Sequence, residues 1–315
     1  MVRKPILWTI LGLWAAATAS GAEWGRRGAS LSTEVGPIED CRQLRVRFEG
    51  AEGARAEETR SVPAPRGALR MRAPSSSGVF VHGSDRSDVS ITACKAAAAA
   101  EDLDRIAISF EDGELRARGP EGRDWIVHFI VRAPRGAGLD LEASNGPVSV
   151  RGISGAVVAR AENGLLAFED STGRIQAETK NGPISLKDCS GTVQANAVNG
   201  PVSVAGSGGD TNVSTQNGPI SVRLSGSHWD GKLDARARNG PLSLSLPDGF
   251  ASGVLVESSG RSPLQCRAAA CAQANESRRE DESRWIAFGD PASAAVRLST
   301  VNGPVSIRSD PSREE

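Results

Sequence analysis

The dipeptide Asn-Gly recurs along this chain at a fixed interval, and this repeat constrains the fold more than any other feature. It occurs at residues 145, 163, 181, 199 and 217, a spacing of 18 residues, and again at 239 and 302. Proline follows every copy except the second, which Leu165 follows. A second glycine series, at residues 155, 173, 191 and 209, bisects the first. Such a repeat predicts an architecture in which one small unit is stacked many times.

Apolar and polar residues alternate with a period of two between the glycines. After each Asn-Gly-Pro the order is apolar, Ser, apolar, as in Val148-Ser149-Val150 and Val202-Ser203-Val204. This alternation is typical of a strand with one buried face. Each 18-residue unit therefore predicts two short strands and two turns, with Val, Ile, Leu and Ala pointing into a thin core.

Two architectures can use this unit. In an antiparallel meander, the Asn-Gly pairs would form type I′ hairpin turns. In a parallel β-solenoid, each coil returns above the previous one, so equivalent residues stack about 4.8 Å apart. Proline after Asn-Gly favours the solenoid, because proline lacks the N–H that would close a hairpin turn. We therefore predict an all-β fold: a parallel β-solenoid with two short strands per 18-residue coil and an N-terminal β-rich cap carrying one short helix.

The asparagines of the repeat occupy one corner of every coil in this arrangement. Stacked Asn side chains can hydrogen-bond to one another along the stack, as in cross-β structures. The sequence thus predicts a structural corner ladder formed by Asn145, Asn163, Asn181, Asn199, Asn217, Asn239 and Asn302.

The first 22 residues have the features of a signal peptide. Arg3 and Lys4 give a positive start, an apolar stretch follows, and Ser20-Gly21-Ala22 satisfies the small-x-small pattern of a cleavage site. We therefore expect the protein to be exported, to the periplasm or to the cell surface, with no transmembrane segment in the mature chain.

The remaining chain divides into segments around the repeat. Five consecutive alanines favour a short helix over 95–104. We expect a solvated loop excursion near 258–290, after which the last Asn-Gly-Pro returns and caps the solenoid. The expected divisions are a signal peptide at 1–22, an Arg/Glu-rich and partly extended segment at 23–74, the β-rich cap at 75–138, the solenoid at 139–309 and a tail at 310–315.

The five cysteines fit an oxidising compartment. Cys266 and Cys271 are close enough in sequence to form a disulfide across a loop, and Cys41 and Cys94 are a second candidate pair. Cys189 is left over, and its column position predicts an inward, small side chain. The three histidines are scattered and no Cys-x-x-Cys pair occurs, so we expect neither a metal site nor a cofactor.

The order of motifs outside the corners is also informative. A Gly-Val-Phe-Val strand begins at Gly78, and the step Val131-Arg132-Ala133-Pro134-Arg135-Gly136 precedes the repeats. Leu242-Ser243-Leu244-Ser245-Leu246-Pro247 and a final Val301-Asn302-Gly303 follow them. Over roughly residues 75–309 the chain resembles the bacterial putative-adhesin family, a domain of unknown function. Proline after Asn-Gly departs from the Asp, Ser or Thr usual there. The resemblance implies an exported β-solenoid with an adhesive role and no catalytic residues.

Charge and motif content restrict the function classes. The formal net charge of −1 gives no reason to expect nucleic acid as a partner. We expect a non-catalytic envelope or surface protein that binds an envelope protein or a glycan, or that acts as a scaffold. Stacked serines beside the prolines form a candidate docking strip, with Ser149, Ser185, Ser203, Ser221, Ser243 and Ser306.

The alternative is a polysaccharide-acting β-helix enzyme. Glu162, Glu169, Asp170 and Glu178 are local neighbours that could supply carboxylates for this chemistry. No two of them recur at matching depth in successive coils, so an ordinary solvated face is the favoured interpretation.

Overall fold

Strands dominate the computed structural model, in agreement with the predicted all-β class. It describes residues 29–31, 38–74, 76–259, 262–278 and 283–310. The predicted signal peptide and residues 311–315 of the predicted tail lie outside the described residues.

The strands are numbered in chain order. The first half comprises β1 Ala29–Leu31, β2 Val46–Phe48, β3 Ala51–Glu52, β4 Ala54–Pro63, β5 Leu69–Ala73, β6 Val79–Ser84, β7 Asp88–Ala97, β8 Ala107–Glu111, β9 Glu114–Arg118, β10 Trp125–Pro134, β11 Leu139–Ala143, β12 Val148–Arg151, β13 Val157–Ala161 and β14 Leu166–Glu169. The second half comprises β15 Arg174–Thr179, β16 Ile184–Lys187, β17 Thr192–Asn199, β18 Val202–Gly206, β19 Asp210–Asn217, β20 Ile220–Leu224, β21 Leu233–Asn239, β22 Leu242–Leu246, β23 Val254–Ser258, β24 Leu264–Cys266, β25 Asn275–Arg278, β26 Arg284–Phe288, β27 Val296–Asn302 and β28 Val305–Ser309. Short 3-10 helices span Cys41–Gln43, Ala100–Arg105, Ala269–Gln273 and Pro291–Ser293.

Two long sheets contain nearly all of these strands. Sheet I has twelve strands in the order β24-β28-β22-β20-β18-β16-β14-β12-β6-β10-β7-β4. Sheet II has thirteen in the order β25-β26-β23-β27-β21-β19-β17-β15-β13-β11-β5-β9-β8. The remaining three strands, β1, β2 and β3, form a small antiparallel sheet. Successive strands of the repeat thus alternate between sheet I and sheet II.

Neighbouring strands within the repeat are parallel, and their register follows the sequence period. Val157 of β13 pairs with Ile175 of β15, which pairs with Val193 of β17. In sheet I, Ile184 of β16 pairs in the same way with Val202 of β18. The parallel pairing rules out the antiparallel meander, and no corner Asn or Gly has the positive φ of a type I′ turn.

The inward side chains of the two sheets form one continuous apolar core. Val202 is 1% exposed, whereas the next residue, Ser203, is half-buried on the outer face. In the longer turn between β20 and β21, Trp229 is 4% exposed, and its Nε1 donates a hydrogen bond to the carbonyl of Gly209 at 2.9 Å. This turn therefore places Trp229 in the core, while His228 stays exposed.

The prediction of a helix over 95–104 is wrong for the first residues of that range. Strand β7 continues through Ala97 and lies between β10 and β4, where Ala96 and Ala97 are fully buried. Only Ala100–Arg105 turns into a 3-10 helix. Alanine's helix propensity is less than 1 kcal/mol per residue, and pairing with two neighbouring strands outweighs it.

The end of the solenoid also differs from the expectation. Strands β27 and β28, which carry the last Asn-Gly-Pro, do not cap the stack. They insert between β21 and β23 in sheet II and between β22 and β24 in sheet I. The excursion near 258–290 is not simply a loop, because it contains β24, β25 and β26. Ile286 of β26 is buried against the core and pairs in register with Val256 of β23, which explains why this part of the segment forms a strand.

A small lobe covers the outer face of sheet I near its N-terminal end. We call residues 38–53 the N-terminal lobe. Its buried side chains, Ile38, Leu44, Val46 and Phe48, form an apolar cluster with Phe80, Cys94, Ala96, Ile126 and Ile130 of the sheet. A disulfide between Cys41 and Cys94, with 5.2 Å between the Cα atoms, joins the lobe to β7.

Candidate functional site

The corner asparagines form a continuous chain of side-chain hydrogen bonds. Asn163 Nδ2 donates to Asn145 Oδ1 at 2.7 Å, and each later Asn donates to the preceding one at 2.9 Å. The ladder passes across the longer turn, from Asn217 to Asn239, and on to the returning Asn302. Each amide joins one coil to the next, so the Asn side chains have a structural role.

The serine column lies on the outer face of sheet I, beside the corner prolines. Ser149 is 8% exposed and pairs in register with Phe80, one of the residues packed under the N-terminal lobe. The other five serines are half-buried or exposed, and the prolines from Pro183 onwards are exposed. The predicted docking strip is therefore shorter than expected, because Ser149 at its N-terminal end is not accessible.

An uncharged polar patch lies in the middle of the outer face of sheet II. We call it the amide face. Its members are outward side chains of β15, β17 and β19: Gln176, Gln194, Asn196, Asn212, Ser214 and Gln216. Ser214 Oγ donates to Asn196 Oδ1 at 2.8 Å. Among the described residues, the side chains of Gln194, Asn212 and Gln216 have no hydrogen-bond partner, so their amides can bind a ligand.

Sequence reasoning did not single out the amide face. The only signal for it was the recurrence of uncharged polar residues at the same outward positions of adjacent coils. Gln176, Gln194 and Asn212 are spaced by one coil and pair in register.

The four carboxylates of the alternative enzyme interpretation are not brought together. Glu162 and Glu178 lie on the side of sheet II, whereas Glu169 and Asp170 lie on the side of sheet I. Each has a basic neighbour: Lys180 is 2.8 Å from Glu162, Arg160 is 3.9 Å from Glu178, and Arg151 is 3.7 Å from Glu169 and 3.6 Å from Asp170.

Two of these carboxyls have lowered pKa values, which is the opposite of what a catalytic acid needs. A hydrogen bond from Lys180 lowers the pKa of Glu162, and one from Lys187 lowers the pKa of Glu169. A carboxyl that donates a proton at neutral pH needs a raised pKa. These residues therefore serve as ion-pair partners between coils.

The cysteines are arranged as two bonded pairs and one free thiol. Cys266 and Cys271 are joined with 5.9 Å between their Cα atoms, and Cys41 is joined to Cys94. Cys189 is free and half-buried, and it packs against the core. Burial raises the pKa of its thiol to about 11, so the thiol stays protonated and unreactive.

A cavity of about 470 Å³ lies where the N-terminal lobe meets β4 and β7. Its lining includes Arg45, Arg55, Glu57 and Lys95. Lys95 Nζ is 2.6 Å from Glu58, and Arg55 is 3.1 Å from Glu52. The lining has four basic side chains and two acidic ones, and Arg42, Arg55 and Lys95 among the basic ones form ion pairs.

Within residues 29–31, 38–74, 76–259, 262–278 and 283–310, no group of three or more His, Cys, Asp or Glu side chains is placed to hold a metal ion. No helix in those ranges combines the length and the apolar character needed to cross a membrane.

The comparison with solved structures finds proteins of low similarity that align over most of this chain. They include a putative cell adhesion protein from Clostridium sporogenes, with 10% identity, a TM-score of 0.27, and coverage of 82% of this chain and 100% of that one. A putative adhesin from Bacteroides fragilis has 11% identity, a TM-score of 0.34, and coverage of 81% and 97%.

The remaining comparisons give no closer match. A putative lipid-binding protein from Parabacteroides distasonis has 10% identity, a TM-score of 0.32, and coverage of 81% of this chain and 96% of that one. No family model matches the sequence, and no curated protein matches it at a significant level. At these identities and TM-scores, no residue role or ligand is transferred to this chain.

Proposed function

We propose that this protein is a non-catalytic binding module, exported to the periplasm or the cell surface, that acts as an adhesin or a scaffold. The observation that carries the proposal is the regular outward surface of the solenoid. Similar side chains recur from coil to coil at the same position, as in Ser185, Ser203 and Ser221 of sheet I. Such a surface presents many equivalent contacts to an extended envelope protein or glycan.

The two disulfides support an exported location. Disulfides persist in oxidising compartments such as the periplasm and the extracellular space. The Cys41–Cys94 and Cys266–Cys271 bonds lie near opposite ends of the solenoid. Together with the predicted signal peptide, they favour a protein that is folded outside the cytoplasm.

The proposal is tested by measuring binding and catalysis on the same preparation. Purified protein is mixed with isolated bacterial envelopes and pelleted, and sugar reducing ends are counted after incubation with neutral and acidic polysaccharides. We expect saturable retention on the envelopes and no release of reducing ends. Cleavage that disappears in Glu162→Gln or Glu169→Gln would establish the enzyme alternative, and the lack of saturable retention would contradict a binding role.

A further inference from the structure

The amide face differs from its surroundings in charge. Along β17 and β19, the outward residues between Gln194 and Gln216 carry no charge except Asp210, which begins β19. Ion pairs flank the face on both sides. Arg160 is 3.3 Å from Asp140 on one side, and Arg236 bonds to Asp234 on the other. The middle of sheet II is therefore a neutral, hydrogen-bonding surface between two charged regions.

We infer that the amide face binds a neutral, linear polysaccharide lying along the solenoid axis. This inference rests on the proposed function, because it names a ligand class for one part of the outward surface of the solenoid. A carboxamide offers two N–H donors and a carbonyl acceptor on one side chain. Sugar hydroxyls both donate and accept hydrogen bonds, so amides complement them. Because neither partner is charged, no charged group has to lose its hydration when they bind.

The register of the sheet extends this match along the axis. Gln176, Gln194 and Asn212 stack in one column, and Asn196 and Ser214 stack in the next. Successive members are about 4.8 Å apart, the spacing of paired strands. A polymer that repeats its hydroxyl groups along an extended chain meets the same side-chain chemistry at each step. Several weak contacts then act together on one chain.

An exposed apolar side chain completes the surface. Val198 is 37% exposed at the end of β17, beside Gln216 of β19 and the corner ladder. Sugar rings present apolar C–H faces as well as hydroxyls, and Val198 offers a contact for one of these faces.

Of the basic side chains near Val198, Lys180 is bonded to Glu162, and Arg238 lies at the edge of the face beside Gln216. Three carboxylates border the same columns: Glu178 is in register with Asn196, Asp234 is in register with Asn212, and Asp210 begins β19. An acidic polymer therefore meets more like charge than opposite charge on this face.

The experiment measures the affinity of the full protein for defined soluble polysaccharides. The neutral probes are mannan, dextran, xyloglucan and cello-oligosaccharides, and the acidic probe is alginate. We expect binding to at least one neutral probe and none to alginate. The double variant Gln194→Ala/Asn212→Ala should weaken this binding at least tenfold with an unchanged melting temperature. Gln194→Glu/Asn212→Asp, which keeps the side-chain size, should weaken it similarly by adding charge.

A variant of the opposite sheet provides the matched control. Ser245→Ala/Gln265→Ala removes one hydroxyl and one exposed amide from the outward side of sheet I and should leave the affinity for the neutral probe unchanged. If either double variant lowers the melting temperature, the single variant Gln216→Ala replaces it.

Several results would overturn the inference. These are binding to alginate alone, binding to no neutral probe, and equal affinity for the neutral probe in the wild type and the amide variants. Envelope retention that is lost after protease treatment of the envelopes would also overturn it, while leaving the proposed binding role intact. Only the absence of any envelope retention would contradict both the polysaccharide inference and the proposed binding role.

Discussion

Glycine at each corner is required by the neighbouring coil rather than by the turn. A Cβ atom built on Gly200 would lie 2.1 Å from the carbonyl oxygen of Gly182, and one built on Gly182 would lie 2.1 Å from that of Gly164. Neither residue has a positive φ, so backbone conformation alone does not demand glycine. The Asn-Gly dipeptide is therefore recurrent for two reasons: Asn bonds to the next coil, and Gly lets that coil approach.

The first prediction follows from this close approach. Gly200→Ala should lower the free energy of unfolding by roughly 1–3 kcal/mol, because the added methyl group forces two coils apart. Gly136→Ala is the matched control, since a Cβ there meets no atom within 4 Å and φ is not positive. Urea denaturation of both variants measures the difference. Equal stabilities would show that the corners can move aside, contrary to the stacked arrangement.

His128 is buried on the face of sheet I that the N-terminal lobe covers. It lies between Ile126 and Ile130 along β10 and opposite Cys94 in register. Its Nδ1 accepts a hydrogen bond from the Gly78 N–H at 3.4 Å, and its Nε2 has no partner among the described residues. Burial lowers the pKa of His128 to about 4. The folded protein therefore holds this imidazole neutral well into the acid range.

This burial predicts a loss of stability in acid. The ordinary His pKa of 6.5 applies in the unfolded chain, so between pH 6.5 and 4 the unfolded chain takes up a proton that the folded protein excludes. The folded state is favoured fully above pH 6.5 and progressively less as the pH falls. Lowering the pH from 7.5 to 5 should reduce the free energy of unfolding by about 2 kcal/mol through this residue.

The contribution of His128 is isolated by comparing variants at the two pH values. His128→Asn keeps an acceptor for the Gly78 N–H and should remove this share of the acid sensitivity. His228→Asn, in the exposed turn before β21, is the control and should behave like the wild type. If the wild type and His128→Asn lose the same stability between pH 7.5 and 5, the imidazole is not buried as described.

At the scale of elements, the strands of the repeat were predictable because their signals are local. Val202-Ser203-Val204 alternates within a single strand, and the fixed glycine spacing sets the register between coils. The elements at the two ends depend on partners distant in sequence. Lys95 to Ala97 extend β7 because β4 and β10 lie beside it, and no helix propensity reveals that. Likewise, β26 is a strand because it pairs with β23.

The candidate surfaces, like the strands, could be predicted from the sequence only where the signal is local. The corner ladder follows from the spacing of the asparagines alone, because a period of one coil places their side chains one above another. The amide face requires three further facts: which residues point outward, which columns adjoin, and which neighbouring charges are already paired. Gln194 and Asn212 are ordinary polar residues in the sequence, and only the ion pairs around them distinguish their surface.

At the scale of the whole molecule, the solenoid is held together by contacts between neighbouring coils. Each inner strand of the repeat pairs only with the strands one coil before and after it. The corner bonds and the ion pair of Lys180 with Glu162 also join adjacent coils. Stability in such an architecture is approximately a sum of coil terms and nearest-neighbour terms. The number of coils can therefore change without a change of fold.

The last prediction tests this property by removing one coil. Deletion of residues 164–181 joins Asn163 to Gly182, which places Ala159 beside Ala195 and Asn163 beside Asn199. Equivalent columns then meet, so the shortened protein should be soluble and should unfold cooperatively, as measured by gel filtration and thermal melting. Deletion of residues 174–180 is the control. It removes β15 from sheet II but leaves β14 and β16 in sheet I, so the two sheets no longer match in strand number and the protein should aggregate or unfold. Equal folding of the two variants, or equal failure, would contradict a stack in which each coil is an independent unit in register with its neighbours.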